Sequence, residues 1–203
     1  MIRIVKYGLG NVAAFANIYR QLNIECSTAE TAEELESASK IILPGVGAFD
    51  WAMHLLDQSG MRNCLDDMVL NRKVPVLGVC VGMQMMANSS EEGSLPGLRW
   101  IDADVRRFDE SQFTDRTHLP HMGWSTAHPS DEKTLFRDMP DPRFYFLHSY
   151  LFAPHRPQDT LAHTDYGTRF ASAVQVDNIF GVQFHPEKSH QWGIKLLQNF
   201  AEL

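Results

Sequence analysis

The chain has 203 residues, 44% hydrophobic and 21% charged, with a formal net charge of −7. That length suits one domain of ordinary size, and the composition is that of a globular protein rather than a disordered one. The acidic balance argues against a nucleic-acid partner, because neutralising phosphates needs clustered Lys and Arg.

The first strand is expected at once, in the apolar run Ile2–Val5. A helix follows over about residues 11–22, with Val12, Phe15, Ile18, Tyr19 and Leu22 at three- and four-residue spacing. A short strand is expected over 24–27. Thr31 and Glu34 then open a helix with a capping-box pattern. A third strand over 40–43 ends at Pro44-Gly45, and two helical stretches, 49–56 and 61–70, lead to the buried run Pro75-Val76-Leu77-Gly78-Val79. This β-α alternation implies an α/β protein: an open, mostly parallel sheet flanked by helices, with a flavodoxin-like core. From residue 103 the pattern changes. Segments 103–108, 143–150, 170–176 and 179–184 are strand-like with polar turns between them, which predicts an additional antiparallel β layer or an extension of the main sheet. Residues 109–119 and 155–159 read as surface loops, and a last helix is expected over 191–202. No repeat or low-complexity linker interrupts the chain, so residues 1–203 read as a single domain.

The three cysteines, Cys26, Cys64 and Cys80, form an odd set without metal-ligand spacing, which points to free thiols, a reducing compartment and no metal. The chain starts on a strand with no basic-then-apolar leader, and no apolar run approaches membrane length. A cytoplasmic protein without membrane contact is expected.

The stretch VPVLGVCVGMQ carries the first chemical signal. An apolar strand ends on Cys80, flanked by Gly78 and Gly82, and helix-forming residues follow. That is a nucleophile elbow with cysteine in place of serine. Most cysteines are inert buried thiols, but a thiol at a strand-to-helix corner meets unpaired N–H groups and the positive end of a helix, and both favour the thiolate. The same corner offers the Val81 N–H as an oxyanion donor. A thiolate needs a base, and GVQFHPEKS supplies His185 and Glu187. At i and i+2 on an extended backbone they share one face, so the carboxylate can fix the imidazole. The order Cys, His, Glu differs from the nucleophile, acid, His order of α/β-hydrolases. A second oxyanion donor is expected from LPGVGAF, whose Gly45-Val46-Gly47 turn sits at the carboxyl end of a strand. A rival reading comes from Gly8-x-Gly10-x-x-Ala13, a relaxed dinucleotide fingerprint with Glu25 and Glu30 near ribose distance. It would make the chain a nucleotide-binding module.

Taken together, PGVGAF, GVCVGMQ, SEEG, PHMGW, FYFLHSY and GVQFHPEKS resemble class I (triad-type) glutamine amidotransferases over essentially the whole chain. PHMGW and the HSY segment narrow the resemblance to the glutaminase subunits of imidazole glycerol phosphate synthases, enzymes of histidine biosynthesis. The resemblance implies hydrolysis of glutamine to glutamate and ammonia through a Cys80 thioester, with His185 as acid and base, Glu187 as its support, and no cofactor. It implies that Gln84, Glu92, Ser149 and Tyr150 contact glutamine, with Glu92 on the α-ammonium. It also implies a heterodimer with a (β/α)8-barrel cyclase subunit. That partner receives the ammonia through a channel and makes imidazole glycerol phosphate and AICAR, and Asn11, Trp124 and Lys188 face it. A related branch supplies ammonia to amidation of a surface-polysaccharide sugar with a paralogous barrel, and CVGMQM and LPGLRWIDADV sit closer to that branch. Lys6-Tyr7-Gly8 stands where members commonly have Asp-Tyr-Gly, a reversed charge near the expected partner-facing end of the sheet.

Overall fold

The chain is described by a computed structural model over residues 1–113, 117–130 and 133–203. The first half alternates as its apolar pattern predicts: β1 (Ile2–Val5), α1 (Val12–Gln21), β2 (Cys26–Ala29), α2 (Ala32–Glu36), β3 (Lys40–Gly45), α3 (Phe49–Gln58), α4 (Arg62–Asp66), β4 (Val76–Cys80) and α5 (Val81–Gln84). β1 pairs with β2 and β3, and β3 with β4, all in parallel. Ile4, Val5, Ile41, Ile42, Leu43, Val76, Leu77 and Val79 are fully buried. Continuous apolar runs are what a parallel sheet covered on both faces requires. The α2 cap forms, with Thr31 Oγ1 accepting the Glu34 N–H at 3.3 Å. The Glu34 carboxylate accepts from the Glu30 N–H one residue earlier than the usual capping box.

The second half contributes β5 (Ser89–Ser90), β6 (Ala103–Arg107), β7 (His121–Thr126), β8 (His128–Pro129), β9 (Arg143–His148), β10 (Tyr150–Pro154), β11 (Thr160–Tyr166), β12 (Thr168–Val176), β13 (Ile179–Val182) and α6 (His190–Ala201). β13 returns to lie parallel to β4, and the sheet continues antiparallel through β12, β10 and β6. The strand order is β2-β1-β3-β4-β13-β12-β10-β6-β5, with β11 and β8 branching from β12. β7 and β9 form a separate antiparallel ribbon. The result is a mostly parallel sheet flanked by helices, with an antiparallel extension and a small second sheet.

Several expected elements are corrected. The strand expected over 24–27 lies at Cys26–Ala29. The helix expected over 61–70 is α-helical only to Asp66 and then widens into a π-type turn, Asp67–Asn71. The helix after Cys80 is a single turn. It stops because the carbonyls of Met85, Met86 and Ala87 accept N–H groups from Leu98, Arg99, Trp100 and Ile101, which draws the chain away from the helix axis. The strand expected over 143–150 breaks at Ser149, placing β9 in the ribbon and β10 in the large sheet. Within the loop expected over 109–119, Glu110–Gln112 forms a short 3-10 turn, and residues 114–116 lie outside the described part of the chain. Among the described residues no helix is long and apolar enough to cross a membrane.

Candidate active site

Cys80 is the last residue of β4, opposite Gly45 of β3. Its φ of 54° and ψ of −112° put a non-glycine residue in the strained, left-handed half of conformational space. Such strain is typical of a side chain held out at a sharp corner. Gly82 makes the corner possible, since a Cβ there would lie 2.0 Å from the Leu43 carbonyl oxygen. The expected helix dipole contributes little, because α5 has only four residues. What the corner retains is its local N–H groups. Cys26 and Cys64 have no such setting: burial pushes the Cys26 thiol up to about 11, and burial and then the Glu36 charge push Cys64 up.

His185 follows the end of β13, its N–H held by the Tyr145 carbonyl at 2.9 Å. Glu187 reaches it differently from the expected extended pair. Pro186–Lys188 is a 3-10 turn that folds the carboxylate back, bringing Glu187 Oε1 to 2.9 Å from His185 Nδ1. Both side chains are at most 4% exposed. Ser189, overlooked in the sequence, fixes this turn by donating to the His185 carbonyl at 2.6 Å and accepting the Tyr145 N–H at 3.0 Å. Burial lowers the proton affinity of His185. The hydrogen bonds to Cys80 and Glu187, and then their charges, outweigh it and raise the imidazole from 6.5 to about 10. His185 thus joins a thiol on one side to a carboxylate on the other, through hydrogen bonds to Cys80 and Glu187.

These groups open on a cavity of about 450 Å³. Val46, Gly47, Val81, Gln84, Glu92, Ser149, Tyr150 and Lys188 line it together with Cys80 and His185, while Gly45 and Glu187 stand directly behind. Glu92 does more than line it. Its Oε2 accepts the Phe49 N–H at 2.9 Å and so caps α3, whose own N-cap residue, Ala48, has no side-chain acceptor. Asp50 answers from α3, accepting the N–H groups of Ser94 and Leu95. The start of α3 and the Glu92 loop are thereby locked to each other.

Lys188 lines the cavity, whereas Trp124 does not and lies along the neighbouring ribbon. Trp124 is exposed on the outer face of the β7–β9 ribbon with Met122 and Leu147, and its ring stacks on His190 at 5.4 Å. Lys188 makes no ion pair among the described residues; its Nζ lies 6.0 Å from the Tyr145 ring centroid. Asn11 is not brought there. It precedes α1, beside a separate cavity lined by Lys6, Gly8 and Gly10. The Gly8-Gly10 turn has a packing explanation: a Cβ on Gly10 would lie 2.6 Å from Pro44. Glu30, one of the two acids near ribose distance, is paired with Lys6 at 2.6 Å. The same pair neutralises the unusual Lys6.

A buried pair of histidines beneath the ribbon was also overlooked. His148 Nδ1 donates to the Tyr150 carbonyl at 2.7 Å, so its Nε2 must accept, and His121 Nδ1 lies 3.0 Å away to donate. His121 Nε2 then accepts from Ser125 Oγ at 2.9 Å. Burial pushes His121 down to about 4. Burial, and then the neighbouring His121 ring, push His148 down to about 3. Both rings are neutral at neutral pH.

Residues 7–203 match the family profile Glutamine amidotransferase class-I. The chain is 54% identical to the imidazole glycerol phosphate synthase subunit HisH of Bdellovibrio bacteriovorus, over all of both chains. It is 50% identical to the subunit HisH of Leptospira interrogans and 44% identical to the subunit HisH 2 of Pseudomonas aeruginosa, again over full length. Among solved structures, a glutamine amidotransferase superposes over all of both chains with a TM-score of 0.75 at 17% identity. A glutamine amidotransferase from Thermotoga maritima superposes with 0.66 at 18% identity, over 99% of this chain and 82% of that one. At such identities the structural likeness speaks for the fold.

Proposed function

The chain belongs to the class-I glutamine amidotransferases, and from that premise we propose that it is the glutaminase subunit of an imidazole glycerol phosphate synthase, working in the cytoplasm beside a (β/α)8-barrel cyclase. The observation that carries the chemistry is the buried line of Cys80, His185 and Glu187 at the edge of the cavity.

In this reading the Cys80 thiolate attacks the carboxamide carbon of glutamine. Negative charge moves to the carbonyl oxygen, where the N–H of Val81 and those of the 45–47 turn receive it; one such donor is worth about 2.7–4 kcal/mol in enzymes where it has been removed. His185 gives its proton to the departing ammonia, leaving a glutamyl thioester. The neutral imidazole then takes a proton from water. The hydroxide attacks the thioester, and glutamate leaves as the thiolate returns. Glu187 stabilises the imidazolium at both stages. Glu92 suits the α-ammonium of the substrate, and Gln84, Ser149 and Tyr150 fit the rest of it.

The partner reading is supported by the rim. Met122, Trp124 and Leu147 form an apolar outer face beside the cavity mouth, and Lys188 offers a cation with no ion-pair partner among the described residues. A contiguous apolar patch of this kind marks a contact site. The relatives named as imidazole glycerol phosphate synthase subunits support a further subunit of such a synthase as the partner.

The test is glutamate release from glutamine by the chain alone, then with the histidine-pathway cyclase, with and without the cyclase's nucleotide substrate. Strong stimulation by the loaded cyclase is expected. No stimulation, in a preparation whose Cys80 still reacts with a diazo-ketone glutamine analogue, would transfer the ammonia to the sugar-amidating branch.

A further inference from the structure

Gln183 has no role in the reaction as derived so far, yet it is fully buried between Val182 and Phe184, two residues before His185. A buried carboxamide is costly unless its N–H and C=O groups are engaged, and its partners here are chemical ones. Gln183 Oε1 accepts from Gln84 Nε2 at 3.1 Å, and Gln183 Nε2 points at Cys80 Sγ at 3.8 Å, within reach of a hydrogen bond to sulfur.

The direction of these amides follows from a single carbonyl. The Tyr150 carbonyl can only accept, and it receives the His148 Nδ1–H at 2.7 Å and Gln84 Nε2 at 3.3 Å. Gln84 must therefore turn its NH₂ toward Tyr150, and the second hydrogen of that nitrogen faces Gln183 Oε1. Gln183 is left with its own NH₂ on the sulfur. The buried histidine pair stands upstream and keeps the Tyr150 carbonyl in place.

We propose that Gln183 is a further catalytic residue: its side-chain N–H holds the Cys80 thiolate, and Gln84 aims it. This rests on the reading of Cys80 as the nucleophile. A thiol is a poor acceptor and a thiolate a strong one, so a donor fixed on the sulfur favours the charged form. It serves twice, holding the thiolate before attack and receiving it again when the thioester is hydrolysed. The need for it is plain from the elbow, where a one-turn helix leaves little dipole to do the same work.

The experiment is the pH dependence of Cys80 alkylation by iodoacetamide in the full chain, with glutamine hydrolysis measured in the cyclase complex. Gln183→Met keeps the length of the side chain and removes the donor. The expected result is an alkylation inflection moved upward by about one pH unit or more, and a kcat for glutamine lowered about 10- to 100-fold, the weight of a hydrogen bond to a charged group. KM should change little, and ammonia-driven synthesis by the complex should persist. If Gln183→Met fails to fold, Gln84→Met frees the Gln183 amide instead and should raise the same inflection by a smaller amount. An unchanged inflection in the folded variant overturns the proposal. A wild-type chain whose glutaminase activity survives complete alkylation of Cys80 overturns the underlying nucleophile reading instead.

Discussion

The parallel half and the antiparallel half bury different kinds of side chain. Of the buried polar residues among those described, only Gln84 and Ser90 precede residue 120. His121, His148, Asp159, Thr164, Ser172, Gln183, His185, Ser189 and Asn199 follow it. The dry half places Cys80, the proposed nucleophile, on a rigid corner of β3 and β4. The polar half supplies the groups that hydrogen-bond around it, Gln183 and His185. One side fixes position by packing and the other fixes chemistry by hydrogen bonds, so damage to each should be separable.

The sharpest separation is at the junction. Cys80→Ala should lower glutamine-dependent turnover by roughly 10⁴-fold or more, as loss of a triad nucleophile does. Thermal stability and ammonia-driven synthesis should barely move, and a steady-state assay with each nitrogen source checks this. Within the dry half, Leu77→Ala removes a fully buried side chain from β4. It should cost about 2–5 kcal/mol of stability in urea unfolding, while the pH profile of Cys80 alkylation stays where it was.

In the polar half, Glu187→Gln should do the reverse. It removes a carboxylate that helps raise His185 to about 10, so the imidazole should lose its proton at lower pH. The alkaline limb of kcat/KM should move down and kcat should fall about 10- to 100-fold, with a melting temperature close to wild type. The smallest effect concerns the histidine pair. His121 and His148 are held neutral far below the ordinary value of 6.5, so the unfolded chain binds more protons than the folded one below about pH 6.5. Stability is therefore full above that value and declines with acid, by roughly 1 kcal/mol per ring between about pH 7 and pH 5.5. Urea midpoints over that window test this, and His148→Asn should flatten the slope.

The same contrast explains what was legible in the sequence. Ile2–Val5, Lys40–Gly45 and Val76–Cys80 announce themselves because strands buried on both faces are almost purely apolar. The elbow and the His185-x-Glu187 pair stand out because glycines and charges interrupt such runs. β7 (HMGWST) and β11 (TLAHTDY) were invisible. Their inward positions carry His121 and Thr164, which are buried only because Ser125, His148 and the Thr126 carbonyl await them. Gln183 looks like any polar residue in a strand until the fold delivers Gln84 and Cys80 to its two ends. The one-turn length of α5 depends on carbonyl partners more than ten residues away, which local propensity does not register.

The cap that Glu92 places on α3 has a thermodynamic side. A glutamate on a surface loop samples many rotamers, and fixing it around a ligand costs up to about 1.5–2 kcal/mol of entropy. Here the Phe49 N–H has already immobilised one carboxylate oxygen, and the Asp50 contacts have immobilised the loop behind it. That disorder was surrendered when the chain folded. A ligand arriving at the free oxygen meets a group with little freedom left to lose, and more of the contact energy survives as affinity.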